Sequence, residues 1–341
     1  MEGNGDLFVE RILVIQLKRI GDFVLTVPAL GRLRKMRPEA ELVLLVPSGL
    51  VELAEALPMV NRVIGFESGG VNWRAWASMV AGEWDVCLDF SGTDRAALLT
   101  WLSRADLRVG YQKFAGFGMR RLAYHRLCGA SVRDLHTVDF HLELIGEALG
   151  SWEGTGPPAM FVVGAGIRDG VQRKLKSEGV TGKYVILHPG TARMEKFWLN
   201  ERWAEVARVV HERLGLQVVL TGTGTGLEEA PLKAIKEMAG VPMVDLCGKL
   251  SLAEMTVVIE GAELMVGVDS MAMHLAALAE KPQVALFGPT NPFHWRARHA
   301  RSMVLQGSSG LPVAEFAPKA TPADMNQIST AAVVDAMTSL L

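Results

Sequence analysis

Short runs of β-branched and other apolar residues recur along the chain, each followed by a turn with Gly, Pro, Ser or Asp and then by a segment of helical periodicity. Residues 11–17, 42–46, 63–66, 85–90, 184–188, 217–221, 243–246, 264–268 and 283–287 are predicted strands. They are continuous apolar stretches without polar alternation, as parallel strands covered by helices on both faces require. Helical periodicity falls between them, at 23–36, 94–104, 138–149, 200–214, 228–239 and 271–279. The alternation predicts an α/β protein built on doubly wound parallel sheets. A Gly/Pro-rich stretch at 150–158 interrupts it and reads as a linker between two domains. In such sheets ligands collect at the carboxyl ends of the strands, so the loops after Leu17, His188, Thr221, Val268 and Phe287 are where chemistry is sought.

Composition narrows the class. The 341 residues are 49% hydrophobic, and the mean hydropathy is +0.21, yet no stretch approaches the roughly 18 uninterrupted apolar residues of a spanning helix. The first ten residues carry acids where a signal peptide would be basic, and the apolar run at 12–15 ends in Gln16, Lys18 and Arg19. Three scattered cysteines, Cys87, Cys128 and Cys247, suggest neither a disulfide framework nor a zinc site, so a cytoplasmic setting is expected. A net charge of −2 argues against a whole-molecule nucleic-acid binder. That neutrality hides a basic stretch: residues 104–133 hold seven basic residues, Arg120 and Arg121 among them, against Asp106 alone, a local charge of +6. It is either a solvated face or a contact for an anionic acceptor, for an anionic membrane surface, or for both.

At the strand ends, Lys18-Arg19-Ile20-Gly21-Asp22 leads into a helix. Asp22 is either an N-cap or a general base with Lys18 and Arg19 beside it, to hold it ionised or to meet an anionic substrate. After the strand at 184–188, a Gly-Thr191 turn followed by Lys196 is a phosphate cradle or a solvated loop. Trp198 and Trp203 read as packing anchors. The run Thr221-Gly222-Thr-Gly-Thr-Gly226 lacks the full Gly-x-Gly-x-x-Gly fingerprint, which disfavours a nicotinamide dehydrogenase. It offers a nucleotide close backbone access at Gly222, with Glu228 or Glu229 placed to accept ribose hydroxyls or simply to favour a helix N-terminus. Asp269-Ser270 ends a strand and opens a helix that carries His274 four residues on, a core histidine or a ligand-facing one. The chain has no Asp-x-Asp and no His-x-x-x-His, so no metal site is expected.

At these residues the chain resembles glycosyltransferase family 9, the ADP-heptose:lipopolysaccharide heptosyltransferases. The likeness spans nearly the whole length. It rests on Arg11-Ile-Leu-Val-Ile through Gly21-Asp22 to Pro28-Ala-Leu, on Asp89-Phe-Ser-Gly, on Leu135-His136-Thr-Val-Asp139, on His188-Pro-Gly to Lys196-Phe-Trp198, and on Gly267-Val-Asp269-Ser270 to Phe287-Gly-Pro-Thr290.

The resemblance implies a GT-B fold, with two Rossmann-like domains facing a central cleft. Residues 1–157 would bind the acceptor and 158–341 the nucleotide sugar, the last helix packing back on the first domain. It implies an inverting, metal-independent transfer of heptose or a related sugar from an ADP-sugar to a lipopolysaccharide-core or other saccharide acceptor, with no cofactor beyond the nucleotide-sugar co-substrate. Asp22 would be the base and Lys196 the diphosphate ligand. Thr191, Asp269, Ser270 and His274 would line the donor pocket, and Glu228 or Glu229 would contact the ribose. Lys18, Arg19, Arg120 and Arg121 are the acceptor-side candidates. One position departs: the family usually places Gly after Asp-Ser, and this chain has Met271. Two alternatives stay open, a nucleotide-sugar epimerase and a catalytically silent nucleotide-sugar-binding protein.

Overall fold

The computed structural model describes residues 10–67, 69, 72–116, 118–151 and 160–341. The N-terminal segment before Glu10, most of the expected linker and Phe117 lie outside these residues. The chain divides into two compact units, Met1–Val162 and Val163–Leu341.

In the first unit, strands β1 (Arg11–Ile15), β2 (Glu41–Pro47), β3 (Arg62–Phe66), β4 (Val86–Asp89), β5 (Leu107–Tyr111) and β6 (Arg126–Cys128) form one parallel sheet in the order β3-β2-β1-β4-β5-β6. The apolar run of β1 is buried on both sides of the pleat: Leu13 and Ile15 join Val43, Leu45 and Cys87 against Ala75, Met79, Ala96 and Leu99, and Ile12 and Val14 are equally buried on the opposite face. Helices Trp73–Ala81 and Asp94–Leu102 supply the first cover. Ile20–Met36 and Thr137–Leu149 pack on each other.

The second unit repeats the plan with β7 (Tyr184–His188), β8 (Gln217–Leu220), β9 (Met243–Asp245), β10 (Leu264–Val268), β11 (Gln283–Phe287) and β12 (Ser302–Gln306), ordered β12-β11-β10-β7-β8-β9 and again all parallel. Read from its own first strand, this is the same 3-2-1-4-5-6 order as in the first unit, and in both the order reverses between the first and fourth strands. The expected α/β class with two Rossmann-like parallel sheets of the GT-B type is the observed one.

The expected helix at 200–214 is α-helical over Asn200–Arg208 and continues as a π-helical turn, Val209–Arg213. Trp198 and Trp203 meet edge to face at 5.1 Å, and the Trp198 indole N–H donates to the Ile328 carbonyl at 3.0 Å, so both are packing anchors. The last helix, Thr330–Leu340, buries Val333, Ala336 and Met337 with Val284, Leu286 and Trp203 of its own unit, because its apolar stripe matches that sheet face.

Candidate functional site

Each unit brings its candidate residues to the carboxyl ends of its strands, on either side of the point where strand order reverses. In the first unit the loop after β1 is pinned by side chains. Gln16, fully buried, donates through Nε2 to Thr26 Oγ1 at 2.7 Å, and that hydroxyl donates to the Asp22 carbonyl at 2.8 Å. Gln16 Oε1 accepts from the Lys18 amide at 3.2 Å, and the Leu17 amide donates to Ser91 Oγ at 2.7 Å. The helix then starts at Ile20, with Arg19 as an extended N-cap residue that makes no side-chain cap. Asp22 therefore lies in the first helical turn and is not the N-cap.

Burial pushes the Asp22 carboxyl above its ordinary value, against the opposing pull of Lys18 and Arg19. Burial likewise lowers Lys18, against the pull of Asp22 and Asp89. The Lys18 ammonium sits 4.5 Å from the centre of the Phe114 ring. Behind them Asp89, fully buried, accepts the Ser91 and Gly92 amides through Oδ1 at 2.8 and 3.0 Å and the Tyr124 hydroxyl through Oδ2 at 2.6 Å. Ser91 thus links the buried carboxylate to the loop that carries Lys18. His141 shares a 2.8 Å hydrogen bond with the Tyr111 hydroxyl through Nδ1, and its Nε2 is buried without a partner among the described residues. Burial, reinforced by the Lys18 charge, brings this imidazole down to about 3.

Among the acceptor-side candidates, Lys18 joins Asp22. Arg120 adjoins them through Phe114, whose carbonyl accepts from its Nη1 at 2.7 Å, and it also pairs with Asp94. Arg19 and Arg121 are exposed. The basic stretch is not one free patch: Arg108 is spent on the Ala123 and Ala105 carbonyls.

In the second unit, β10 delivers Asp269 opposite the loop that follows β7. Lys196 Nζ donates to Asp269 Oδ2 at 2.7 Å and to the Asp269 carbonyl at 3.2 Å. Both side chains are largely buried, at 13% and 8% exposure. Thr290, at the carboxyl end of β11, donates to the same carboxylate oxygen at 2.6 Å. Ser270 opens the helix Met271–Leu278 in an extended conformation and makes no cap with its side chain. Its Oγ and His274 Nδ1 are buried and unpartnered among the described residues. His274 is lowered to about 4 by burial. His188, bonded to Thr221 Oγ1 at 2.9 Å, is likewise lowered to about 4. Thr191 is buried and accepts the Arg193 amide at 3.4 Å.

Glu228 and Glu229 part company. Glu228 is buried and accepts the Thr223 amide at 2.6 Å. A Cβ built on Gly190 or Gly222 would come within 2.6 and 2.7 Å of its carboxylate, so the two bare backbones fit around it. Glu229 is exposed, in the first turn of its helix. Among the described residues no three His, Cys, Asp or Glu side chains form a metal-holding group.

Sequence reasoning used Asp89 and Thr290 only as parts of motifs and passed over Gln16, Thr26, Tyr124 and His141. The available signal was position: Asp89 and Thr290 each sit at or just beyond the carboxyl end of a strand.

A sequence model described as glycosyltransferase family 9 (heptosyltransferase) matches residues 72–315. Lipopolysaccharide heptosyltransferase 1 of Pseudomonas aeruginosa is 28% identical over 312 residues, 87% of this chain and 84% of that protein. Lipopolysaccharide heptosyltransferase 3 of Escherichia coli is 25% identical over 300 residues, 81% and 83%. Among solved structures, a family 9 glycosyl transferase from Veillonella parvula superposes with a TM-score of 0.84 at 24% identity, covering 97% of both chains. The E. coli heptosyltransferase WaaC, solved with ADP, gives 0.74 at 21% identity over 97% of this chain and 100% of that one.

Proposed function

Since the chain belongs to glycosyltransferase family 9, we propose that it moves a heptose from ADP-heptose to a lipopolysaccharide-core acceptor, with inversion at the anomeric carbon and without a metal or a further cofactor. Two relatives are named for heptose transfer in lipopolysaccharide synthesis, and a structural neighbour was solved with ADP. The observation that carries the reading is the second unit's strand-end cluster, where Ser270 Oγ and His274 Nδ1 are buried without partners beside an intact Lys196–Asp269 pair. Buried polar groups of this kind call for a polar ligand.

Asp22 accepts the proton of the acceptor hydroxyl as its oxygen attacks the anomeric carbon. The bond from that carbon to the diphosphate oxygen breaks, and the nucleoside diphosphate leaves with the electron pair. Its raised basicity suits Asp22 to this task better than an ordinary surface carboxylate. A lysine ammonium has three N–H donors, and Asp269 takes two of those of Lys196. The third is left for the departing diphosphate, together with the amides opening the helix Met271–Leu278. Glu228 takes the ribose from beneath the loops that follow β7 and β8. Lys18 and Arg120 meet the anionic acceptor, and because a lipopolysaccharide core is carried on lipid, peripheral contact with an anionic membrane belongs to the same reading.

The deciding experiment incubates the purified chain with ADP-heptose and a heptose-deficient core oligosaccharide, then determines product mass and anomeric configuration. Transfer with inversion is expected. Altered sugar nucleotide formed without acceptor would instead establish an epimerase. Met271, at the first helical position where the family usually has Gly, favours one other reading, a silent binding protein; calorimetric donor binding without transfer to any core acceptor would establish it.

A further inference from the structure

Helices Trp73–Ala81 and Asp94–Leu102 and the 3-10 turn Met119–Ala123 lie side by side on one face of the first unit's sheet. Helix Asp94–Leu102 buries Ala96, Ala97, Leu99 and Thr100 toward the sheet. Its outward row would be polar on a helix that faced only water. Instead Leu98 and Trp101 stand there 47% and 54% exposed, and the neighbouring helix and turn expose Trp73 at 63% and Leu122 at 70%. Trp73 and Trp101 are the exposed tryptophans of the described residues. Arg104 and Arg121 are exposed among them. Across residues 73–83, 94–106 and 118–123 there are five arginines and three acids, Glu83, Asp94 and Asp106, and Asp94 is taken by Arg120.

We propose that this face seats the chain on an anionic phospholipid bilayer, with Trp73, Leu98, Trp101 and Leu122 entering the headgroup region while Arg104 and Arg121 meet lipid phosphates. Tryptophan is at home in that layer, where its ring is buried and its N–H stays wet. Each nearby arginine adds attraction to an anionic surface. A second copy of the chain fits poorly, because a two-fold contact would set one cationic face against another. The face also adjoins the proposed acceptor end: Arg120, next to Arg121 and Leu122, bonds to Phe114, whose ring receives Lys18. The inference deepens the membrane contact of the proposed function, but vesicle binding is measured with neither donor nor acceptor, so the two stand or fall separately.

The test is co-sedimentation of the full chain with vesicles of phosphatidylethanolamine and phosphatidylglycerol, against phosphatidylcholine alone. Binding to the anionic vesicles that fades with salt is expected. Trp101→Ser with Leu122→Ser should weaken it roughly tenfold or more, and Arg104→Glu roughly fivefold to tenfold. As these side chains are exposed, the variants should melt as the parent does. A second measurement needs no variant: brominated lipid in the anionic vesicles should quench part of the parent's tryptophan fluorescence. Absent binding, equal binding to neutral vesicles, unchanged binding of the double variant or absent quenching would each overturn the proposal. Self-association abolished by the double variant, without vesicle binding, would assign the face to a protein contact instead.

Discussion

Both units place a lysine and an aspartate where strand order reverses, yet the two pairs are in opposite electrostatic states. In the second unit Lys196 and Asp269 form a buried ion pair at 2.7 Å, with Thr290 on the same carboxylate. In the first, Lys18 and Asp22 make no ion pair within 4.0 Å among the described residues, and burial pushes each toward its neutral form. A carboxylate locked to an ammonium is a poor proton acceptor and a good anchor, whereas one held near a cation without touching it keeps its basicity. On the proposed function the same fold would support two roles, proton acceptor in one unit and orienting anchor in the other.

Removing the basic oxygen tests this contrast most severely. Asp22→Asn should lower kcat by about two to four orders of magnitude while leaving calorimetric donor affinity nearly unchanged. Near-normal turnover would end the assignment of Asp22 as base. Lys196→Met should act on two readouts. It leaves Asp269 buried without its cation, which costs about 3–5 kcal/mol of stability in a melt, and the loss should shrink when Asp269→Leu is added. It also removes a donor to the departing diphosphate, for about a hundredfold or more in kcat. Asp22→Asn should show no such stability loss. Equal destabilisation by the two variants would erase the distinction between the units.

Acidification weighs on the two units unequally. His188 and His274 have folded values near 4, below the ordinary 6.5, so their contribution to stability is complete above 6.5 and is lost as pH falls toward 4. For Asp22 the folded value is raised, so its contribution is largest below the ordinary 3.8 and declines as pH rises through the folded value. Asp89 has the same sign as Asp22, and His141 in the same unit has the sign of the other histidines. Hydrogen exchange between pH 6.5 and 4 should therefore show β7–β12 losing protection before β1–β6. In the pH–rate profile the acid limb should lie above the ordinary carboxylate range. Since Lys18 pulls Asp22 downward, Lys18→Met should move that limb further up. A limb that moved down would place Lys18 elsewhere in the mechanism.

How much was legible in sequence follows from how the elements are buried. The central strands β1, β4, β7, β10 and β11 are covered on both faces and stand out as apolar runs. β5, β6 and β12 were passed over: they lie toward sheet edges and their apolar runs are interrupted by Arg108, Arg126, Ser302 and Gln306, with β6 also short and β12 only half buried. Strand-end position drew attention to Asp22, Lys196, Asp269 and Ser270, and the fold brings Lys196 and Asp269 into contact. What sequence could not show is which charges touch. Lys18 and Lys196 look alike along the chain, and only packing brings Lys196 onto a carboxylate and lays Lys18 over a ring. The +6 tract is divided in the same way, since Arg108 and Arg120 are committed to local carbonyls and to Asp94 while Arg104 and Arg121 stay exposed.

The smallest predicted effect discriminates between basicity and placement. Thr26 keeps the size of valine but carries the hydroxyl that accepts from Gln16 and donates to the Asp22 carbonyl. Thr26→Val leaves the buried Gln16 amide N–H without its acceptor, at a cost of about 1–3 kcal/mol in stability. It does not touch the Asp22 carboxylate, so kcat should fall by roughly tenfold or less, through a slightly loosened first turn, and the acid limb should stay where it is. If Thr26→Val cost as much turnover as Asp22→Asn, the first unit would owe its activity to the shape of the pinned loop. If the two differ by the expected hundredfold or so, the carboxylate oxygen itself takes the proton, and Gln16, Thr26 and Ser91 serve to hold it there.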